Sequence, residues 1–157
     1  MAYRISRNFE ASVIKFLENN FVLDWNGVRV EKSQARVYNG TLPVVCVQLG
    51  VTNYNYAEVG SDSIIRTPLI IIDIYAKNDG QRLDLKDYII SKVKSGMPYY
   101  EFIIENGNIV SQNQTGNIMV KKILDVPVNF DVDKDKLDKS NRYRHRITLT
   151  TTINVAE

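Results

Sequence analysis

Hydrophobic and polar residues alternate with two different periods along this chain, and these periods separate predicted helices from predicted strands. Near the start of the sequence, apolar residues recur every three or four positions, which predicts a helix from about Ser6 to Asn20. Ser6 or Asn8 is expected to cap its first turn. The apolar stripe of this helix consists of Phe9, Val13, Phe16 and Leu17.

The run Leu69–Ala76 has the composition of a strand. It is rich in β-branched residues and too short for a buried helix, so we predict a central strand. We expect it to begin at Pro68, which cannot donate a ladder hydrogen bond. Asp73 interrupts the run, and no second carboxylate or histidine lies nearby at a supporting spacing. We therefore interpret Asp73 as a group that faces solvent or accepts a hydrogen bond, and not as part of a metal or acid–base pair.

A second helix is predicted directly after this strand. Asn78 or Asp79, within the turn sequence Asn-Asp-Gly, is expected to cap it. We predict the helix from about Gln81 to Ser95, with Gly96 in the left-handed conformation after it and Pro98 preventing its continuation. Its apolar face consists of Leu85, Tyr88, Ile89 and Val93.

The rest of the chain has mainly strand character. Two Asn-Gly pairs, at 26–27 and 106–107, lie between strand-like runs and predict tight hairpins. Pro127 indicates an edge strand or a bend. The polar segment Thr52–Thr67 is long for a structureless loop, so it is either functional or an extended hairpin that projects from the body. The further predicted strands are Pro43–Val51, Tyr99–Ile104, Asn108–Ser111, Ile118–Leu124, Val126–Val132 and Tyr143–Val155.

Composition is that of one ordinary globular domain. With 157 residues, 44% of them hydrophobic and 24% charged, the chain can bury a real core. We predict a single α+β domain over residues 1–157, in which two helices pack on one face of a mainly antiparallel sheet. The formal net charge of +2 gives only a weak pull on nucleic acid. The sequence shows no signal peptide and no apolar run of membrane-spanning length, so we expect no membrane contact and a cytoplasmic or virion setting.

Candidate chemistry is sparse. The single cysteine, Cys46, is expected to be a buried structural thiol, and His145 is its only candidate histidine partner. Asp131 to Asp135 copies the first ligands of a calcium loop, but Lys136 stands where glycine is needed and Arg142 replaces the closing glutamate. The known phosphate, zinc and hydrolase motifs are absent from the sequence. We therefore expect no enzyme activity, no catalytic or metal residues and no cofactor.

The most basic stretch surrounds the start of the last predicted strand. Strand alternation places Arg144 and Arg146 on one face and His145 on the other. Together with Arg142, these arginines form a solvated strand face, salt bridges to a neighbouring subunit, or a weak, sequence-independent contact with DNA phosphates. Tyr54 and Tyr56 can stack on bases, although their alternation favours packing at a subunit contact.

The order of these elements resembles the neck and tail terminator proteins of tailed bacteriophages. The specific part of the resemblance is Ile72–Ala76 with the helix Gln81–Val93, flanked by the N-terminal helix, the long polar connection and the threonine-rich last strand. The resemblance implies a ring of six copies that ends tail tube growth and joins the tail to the head, leaving a channel for DNA. Its implied location is the virion, after assembly in the host cytoplasm.

The same resemblance implies partners and contact residues. The partners are further copies of the chain, the tail tube protein and a head-completion, neck or connector protein, with transient passage of DNA. The basic residues Arg142, Arg144 and Arg146 are candidates for the DNA channel or for an interface. The candidate contacts to a neighbouring subunit or to the tube are Tyr54, Tyr56, Glu58, Asp62 and Arg66.

Two alternatives stay open on the sequence. One is another component of the same virion, either a head-completion protein or a tail tube protein. The other belongs to a different class, a small monomeric nucleic-acid-binding module that uses Arg142, Arg144 and Arg146. Solution mass and the salt dependence of DNA binding distinguish this module from a ring.

Overall fold

The computed structural model describes residues 4–32, 41–60, 62–129 and 132–154. Within them, two helices pack on one face of a six-stranded, mostly antiparallel sheet with strand order β1-β2-β3-β6-β5-β4. Only β1 and β2 run parallel. The predicted α+β fold is confirmed. Its elements are α1 (Ile5–Asp24), β1 (Arg29–Glu31), β2 (Val44–Tyr56), β3 (Ile64–Ala76), α2 (Asp79–Val93), β4 (Met97–Glu105), β5 (Asn108–Val128) and β6 (Tyr143–Asn154).

The core lies between the helices and the inner face of the sheet. In β3, Ile70, Ile72 and Ile74 are fully buried, because alternate side chains of a central strand all point to the same face. The predicted helix stripes face them. Phe9, Val13 and Leu17 of α1 and Leu85, Ile89 and Val93 of α2 are all fully buried.

The ends of α2 follow the predicted cap chemistry. The side chain of Asn78 accepts a hydrogen bond from the Gln81 amide at 2.8 Å, so Asn78 and not Asp79 is the N-cap. Gly96 has φ +92°, and a Cβ at this position would lie 3.0 Å from the Ile118 carbonyl oxygen. Left-handed backbone and close packing therefore both favour glycine there.

The start of α1 differs from the prediction. The helix begins at Ile5, its N-cap Arg4 makes no side-chain capping bond, and both Ser6 and Asn8 lie inside the helix. It also continues to Asp24, because the buried Phe21 extends the apolar stripe by one more turn.

One of the two predicted hairpins is wrong. The residues before Asn26-Gly27 form the last turn of α1, so this pair joins a helix to β1, which pairs parallel to β2. The second hairpin is confirmed. Asn106 and Gly107 both have positive φ, as a tight two-residue turn requires, and they connect β4 to β5.

Pro68 does not start β3, which begins four residues earlier at Ile64. Instead, Pro68 lies where β3 loses its β6 partner, since the pairing with β6 runs only from Leu69 to Ala76. The hydroxyl of Thr151 donates to the Pro68 carbonyl oxygen at 2.9 Å. Pro127 lies in the half of β5 that pairs with β6 alone, which agrees with an edge position.

Helix α1 contacts strand edges at both ends of the curled sheet. On β4, the Tyr100 amide donates to Ser12 Oγ at 2.9 Å and the Phe102 amide donates to Asn8 Oδ1 at 3.5 Å. On β2, the Leu49 amide donates to Glu10 Oε2 at 3.0 Å. Backbone groups that would otherwise be available to another strand are therefore satisfied by side chains of one helix.

Candidate functional site

Beyond Pro68, β2 and β3 continue as a two-stranded hairpin, called the arm below and comprising residues Thr52–Thr67. The strands pair from Thr52 opposite Pro68 to Tyr56 opposite Ile64, and the Ala57 amide donates to the Ser63 carbonyl at 2.9 Å. The projecting hairpin expected for this segment is thus confirmed. At about 3.3 Å per residue, its paired part reaches roughly 15 Å from the body.

The five predicted contact residues all lie on the arm. Tyr54 and Arg66 are opposite one another, and the Arg66 guanidinium lies 5.2 Å from the centre of the Tyr54 ring. Tyr56 is two residues further along and shares their side. Glu58 and Asp62 are exposed near the tip. The structure therefore brings Tyr54, Tyr56 and Arg66 together and places the two acids beyond them.

The arm is rich in exposed apolar surface. Tyr54 is 53% exposed, Tyr56 is 74% exposed, and Val59 at the turn is fully exposed. Ile65 on the opposite side is 44% exposed. Contiguous exposed apolar groups are typical of surfaces that contact another molecule. Near the base of the arm, Arg66 lines a small cleft with Ile5 of α1.

Two of the three predicted basic residues lie next to one buried acid. Asp73 is 1% exposed, and Arg146 donates to its two carboxylate oxygens from Nε at 2.8 Å and from Nη2 at 3.2 Å. Arg144 Nη2 lies 3.9 Å from the same carboxylate, with its guanidinium over the Tyr75 ring. Asp73 is therefore the hydrogen-bond acceptor that the sequence suggested. The hydrogen bond from Arg146 raises the pKa of this arginine.

Arg142 is separated from the other two arginines. Its Nε donates to the Leu137 carbonyl oxygen at 3.0 Å. The three guanidinium groups thus do not form one open cationic patch. Arg144 and Arg146 share an acid, whereas Arg142 holds the turn that precedes β6.

His145 lies on the inner face, opposite to Arg144 and Arg146, as strand alternation predicted. Arg82 Nη1 is 2.7 Å from Nδ1, and Nε2 is 2.8 Å from Asp125 Oδ1. Because arginine can only donate, Nδ1 must accept and Nε2 must carry the proton that is donated to Asp125. Burial lowers the pKa of His145, which agrees with this neutral tautomer.

Cys46 and His145 do not form a pair. Cys46 is opposite Asp73 on the outer face of the sheet, whereas His145 is opposite Ile74 on the inner face. Burial, the largest cause, raises the pKa of the Cys46 thiol to about 11. The thiol is therefore protonated at neutral pH and suits the structural role expected from the sequence.

No group of three or more His, Cys, Asp or Glu side chains that could hold a metal ion occurs within the ranges the structure describes. Of the calcium-like sequence, Asp131 lies outside those ranges, and Asp133 Oδ1 accepts a hydrogen bond from the Asp135 amide at 3.1 Å. Among the described helices, none is both long and apolar enough to cross a membrane.

The outer face of the sheet carries a second exposed apolar feature, which the sequence did not reveal. We call it the β5 strip: Met119, Lys122, Leu124 and Val126. Its four members pair with Thr152, Thr150, Thr148 and Arg146, all on the outward side of β6. Its three apolar members are between 42% and 53% exposed.

A bulge explains why the β5 strip was missed. The register of β5 shifts between Val120 and Lys122, so one extra residue reverses the alternation of side chains. Simple alternation would place Leu124 and Val126 on the same side as the buried Ile118. Two adjacent lysines at 121 and 122 within an apolar run were the available sequence signal for this irregularity.

Neither a scan against protein-family models nor a search of curated proteins found a match to this chain. Its function is therefore inferred from its own geometry and from the order of its elements.

Proposed function

We propose that this chain is a structural subunit of the neck or tail of a tailed bacteriophage. Six copies form a ring at the head-proximal end of the tail, which ends tube growth, joins the tail to the head and leaves a channel for DNA. The observation that carries this proposal is the arm. It is a two-stranded projection whose aromatic side chains are exposed and contribute little to the core.

The order of elements supports the same proposal. An N-terminal helix is followed by a strand, a long projecting hairpin, a central strand and a helix capped by Asn78, and the sheet is completed by a threonine-rich last strand. This is the order in which the sequence resembles neck and tail terminator proteins. As an assembly subunit, the chain would act through surfaces and needs no catalytic group.

A ring also places a geometric requirement on each subunit. Head-to-tail association needs two different patches on every copy, and the rotation between copies must close. The arm is a suitable first patch because it extends beyond the body and is long enough to reach a neighbour. Its partners in the proposed virion are further copies, the tail tube and a neck or head-completion protein.

The runner-up, a monomeric nucleic-acid-binding module, receives less support. Arg144 and Arg146 are directed toward Asp73, and Arg142 donates to a backbone carbonyl, so their charges are partly engaged within the protein. A dedicated phosphate-binding surface needs several cations free to displace counterions. In the proposed ring, these three arginines remain candidates for the channel wall or for an interface.

Solution mass and imaging test the proposal directly. We expect native mass spectrometry to find a closed hexamer, six times 18.0 kDa or about 108 kDa, and electron microscopy to show an axial channel. DNA affinity of the assembled protein should be weak. A stable monomer that binds DNA with steep salt dependence would instead support the nucleic-acid-binding module and contradict the ring.

Shortening the arm tests its role in assembly. Tyr54 and Arg66 are register partners, so replacing residues 55–65 by an Asn-Gly dipeptide closes the hairpin in a favoured turn. In the virus that encodes the chain, we expect overlong tails or tails that fail to join heads. Lengthening the β4–β5 turn by a Gly-Ser pair after Gly107 is the matched control, since it alters a hairpin tip without touching the arm. Normal particles made with the shortened arm would contradict the role given to it.

A further inference from the structure

We infer that the arm of one copy packs on the β5 strip of a second copy. Tyr54 and Tyr56 would cover Met119, Leu124 and Val126 of that copy. This inference rests on the proposed ring and identifies the two patches that meet in it.

The two surfaces match in polarity. Tyr54 and Tyr56 offer two large aromatic side chains on one side of the arm, and both are more than half exposed. The β5 strip offers Met119, Leu124 and Val126 on the sheet face that the helices leave uncovered. Aromatic residues and methionine are enriched at the centres of protein interfaces, where they bury large areas at a small cost in conformational entropy.

The two surfaces also match in charge. Glu58 and Asp62, near the tip of the arm, are both exposed acids. Lys121 and Lys122 are exposed on β5 between Met119 and Leu124. In the proposed contact, the two acids of the arm tip would face Lys122 in the strip and Lys121 beside it. Opposite charges favour this contact over one between two acidic surfaces.

The other exposed apolar hairpin lacks this complementarity. The segment from Met97 to Gly116, which contains β4 and the start of β5, carries Glu101 and Glu105 and contains no lysine or arginine. An acidic arm tip would be repelled there.

Tyr54 and Tyr56 cannot cover the β5 strip of their own copy. They share the side of Arg66 and Ile70, which is the helix-covered side of the sheet, whereas the strip lies on the outer face. Leu69 is level with Thr150 and Lys122, and β3 enters the arm two residues beyond this point, at Thr67. From there the arm extends away from Leu124 and Val126, which lie on the opposite side of Lys122. Contact between the two surfaces must therefore join different copies. In the proposed ring it is head to tail, with the arm of each copy on the β5 strip of the next.

Mixing two defective variants tests this contact. The arm variant is Tyr54→Ser with Tyr56→Ser, and the strip variant is Leu124→Ser with Val126→Ser. We expect each to weaken self-association at least about tenfold in sedimentation velocity, because each loses the centre of the interface. An equimolar mixture should form dimers, since a strip variant still offers its arm to the intact strip of an arm variant.

The matched control changes the other exposed hairpin. Ile103→Ser with Val110→Ser removes apolar side chains of similar exposure, and we expect wild-type association. Exchanging the charges of Glu58 and Lys122 provides a second test of the contact. Glu58→Lys alone should weaken association, and Glu58→Lys combined with Lys122→Glu should restore it. Far-ultraviolet circular dichroism checks that every variant is folded.

The outcomes separate this inference from the proposed function. Closed rings that survive both the arm and the strip variants would overturn the inference and leave the ring proposal intact. Linear assemblies that do not close and that need both surfaces would support the inference and contradict the ring. Loss of association in the arm variant alone, with no dimers in the mixture, would overturn the inference. A wild-type chain that stays monomeric up to about 1 mM would also overturn it, because such a contact would be weaker than about −4 kcal/mol.

Discussion

The two long hairpins of this protein have the same secondary structure but differ in how far their aromatic side chains are buried. The β4–β5 hairpin is held against α1 by hydrogen bonds from the Tyr100 and Phe102 amides, and Tyr99 and Phe102 are buried in it. The arm exposes its aromatic residues instead. Strand pairing alone therefore does not determine whether a hairpin packs on the core or is available to a partner. Side-chain burial and hydrogen bonds at the strand edges determine this.

The largest expected difference between the hairpins concerns their tyrosines. Tyr99 is fully buried. We expect Tyr99→Ala to lower the free energy of unfolding by about 3–5 kcal/mol, because it removes a ring and leaves a cavity. Urea unfolding measures this change, and Tyr99→Phe, which keeps the ring, is the control. A loss below about 1 kcal/mol would mean that the hairpin does not depend on this core contact.

Removing the hydrogen bond that links α1 to the edge of β4 is expected to lower the free energy of unfolding by a smaller amount. Ser12 Oγ accepts from the Tyr100 amide and donates to the Asn8 carbonyl at 2.6 Å. Ser12→Ala leaves the Tyr100 amide without this acceptor and should cost about 1–2 kcal/mol. Ser91→Ala is the matched control, since Ser91 makes a similar helical bond to Tyr88 on an exposed face.

Hydrogen exchange provides a local measurement of the same link. In Ser12→Ala, the Tyr100 amide should exchange faster, and amides of the arm should not change. If exchange accelerated equally in both hairpins, the substitution would have acted by general destabilisation.

The pH dependence of the free energy of unfolding tests the contacts of His145. This side chain hydrogen-bonds to Arg82 of α2 and to Asp125 in the second half of β5. Burial lowers the pKa of His145 below its ordinary 6.5, so the unfolded chain binds this proton more readily. The stability from neutral His145 is therefore present above pH 6.5 and decreases as the pH falls toward the folded pKa. Urea unfolding from pH 7 to pH 5 should show this decrease. His145 is the only histidine, so in His145→Gln the histidine contribution to the slope should disappear.

The smallest effect is expected in the arm. Tyr56→Ser should change the free energy of unfolding by less than about 0.5 kcal/mol, because the side chain is exposed in the isolated subunit. Thermal unfolding at low protein concentration measures this value. A loss comparable to that of Tyr99→Ala would remove the contrast between the two hairpins.

Most of the fold could be predicted from hydrophobic periodicity, because the buried side of a helix or strand requires apolar residues at a regular spacing. The apolar stripes of both helices, the Asn78 cap region and the alternation in β6 all satisfy local rules that the structure obeys. The arm was also predicted, from the length and polar composition of its segment. The N-terminus of α1 was misplaced because its first turn has no side-chain cap, and Ser6 and Asn8 looked like caps by residue type alone.

The remaining features depend on contacts between distant residues. A bulge at Lys121 reverses the faces of β5, and the sequence carries no strict pattern for a bulge. The bond between Arg146 and Asp73 joins two strands separated by 73 positions. Asn26-Gly27 predicted a hairpin from turn chemistry, yet the apolar stripe of α1 continued through Phe21 and took the preceding residues into the helix.

The contacts of α1 with two strand edges have a consequence for biosynthesis. The ribosome completes this helix early, but its partners on β4 follow 88 and 94 positions after Ser12 and Asn8. In a nascent chain, the apolar stripe of α1 therefore remains uncovered until most of the sheet has been synthesised.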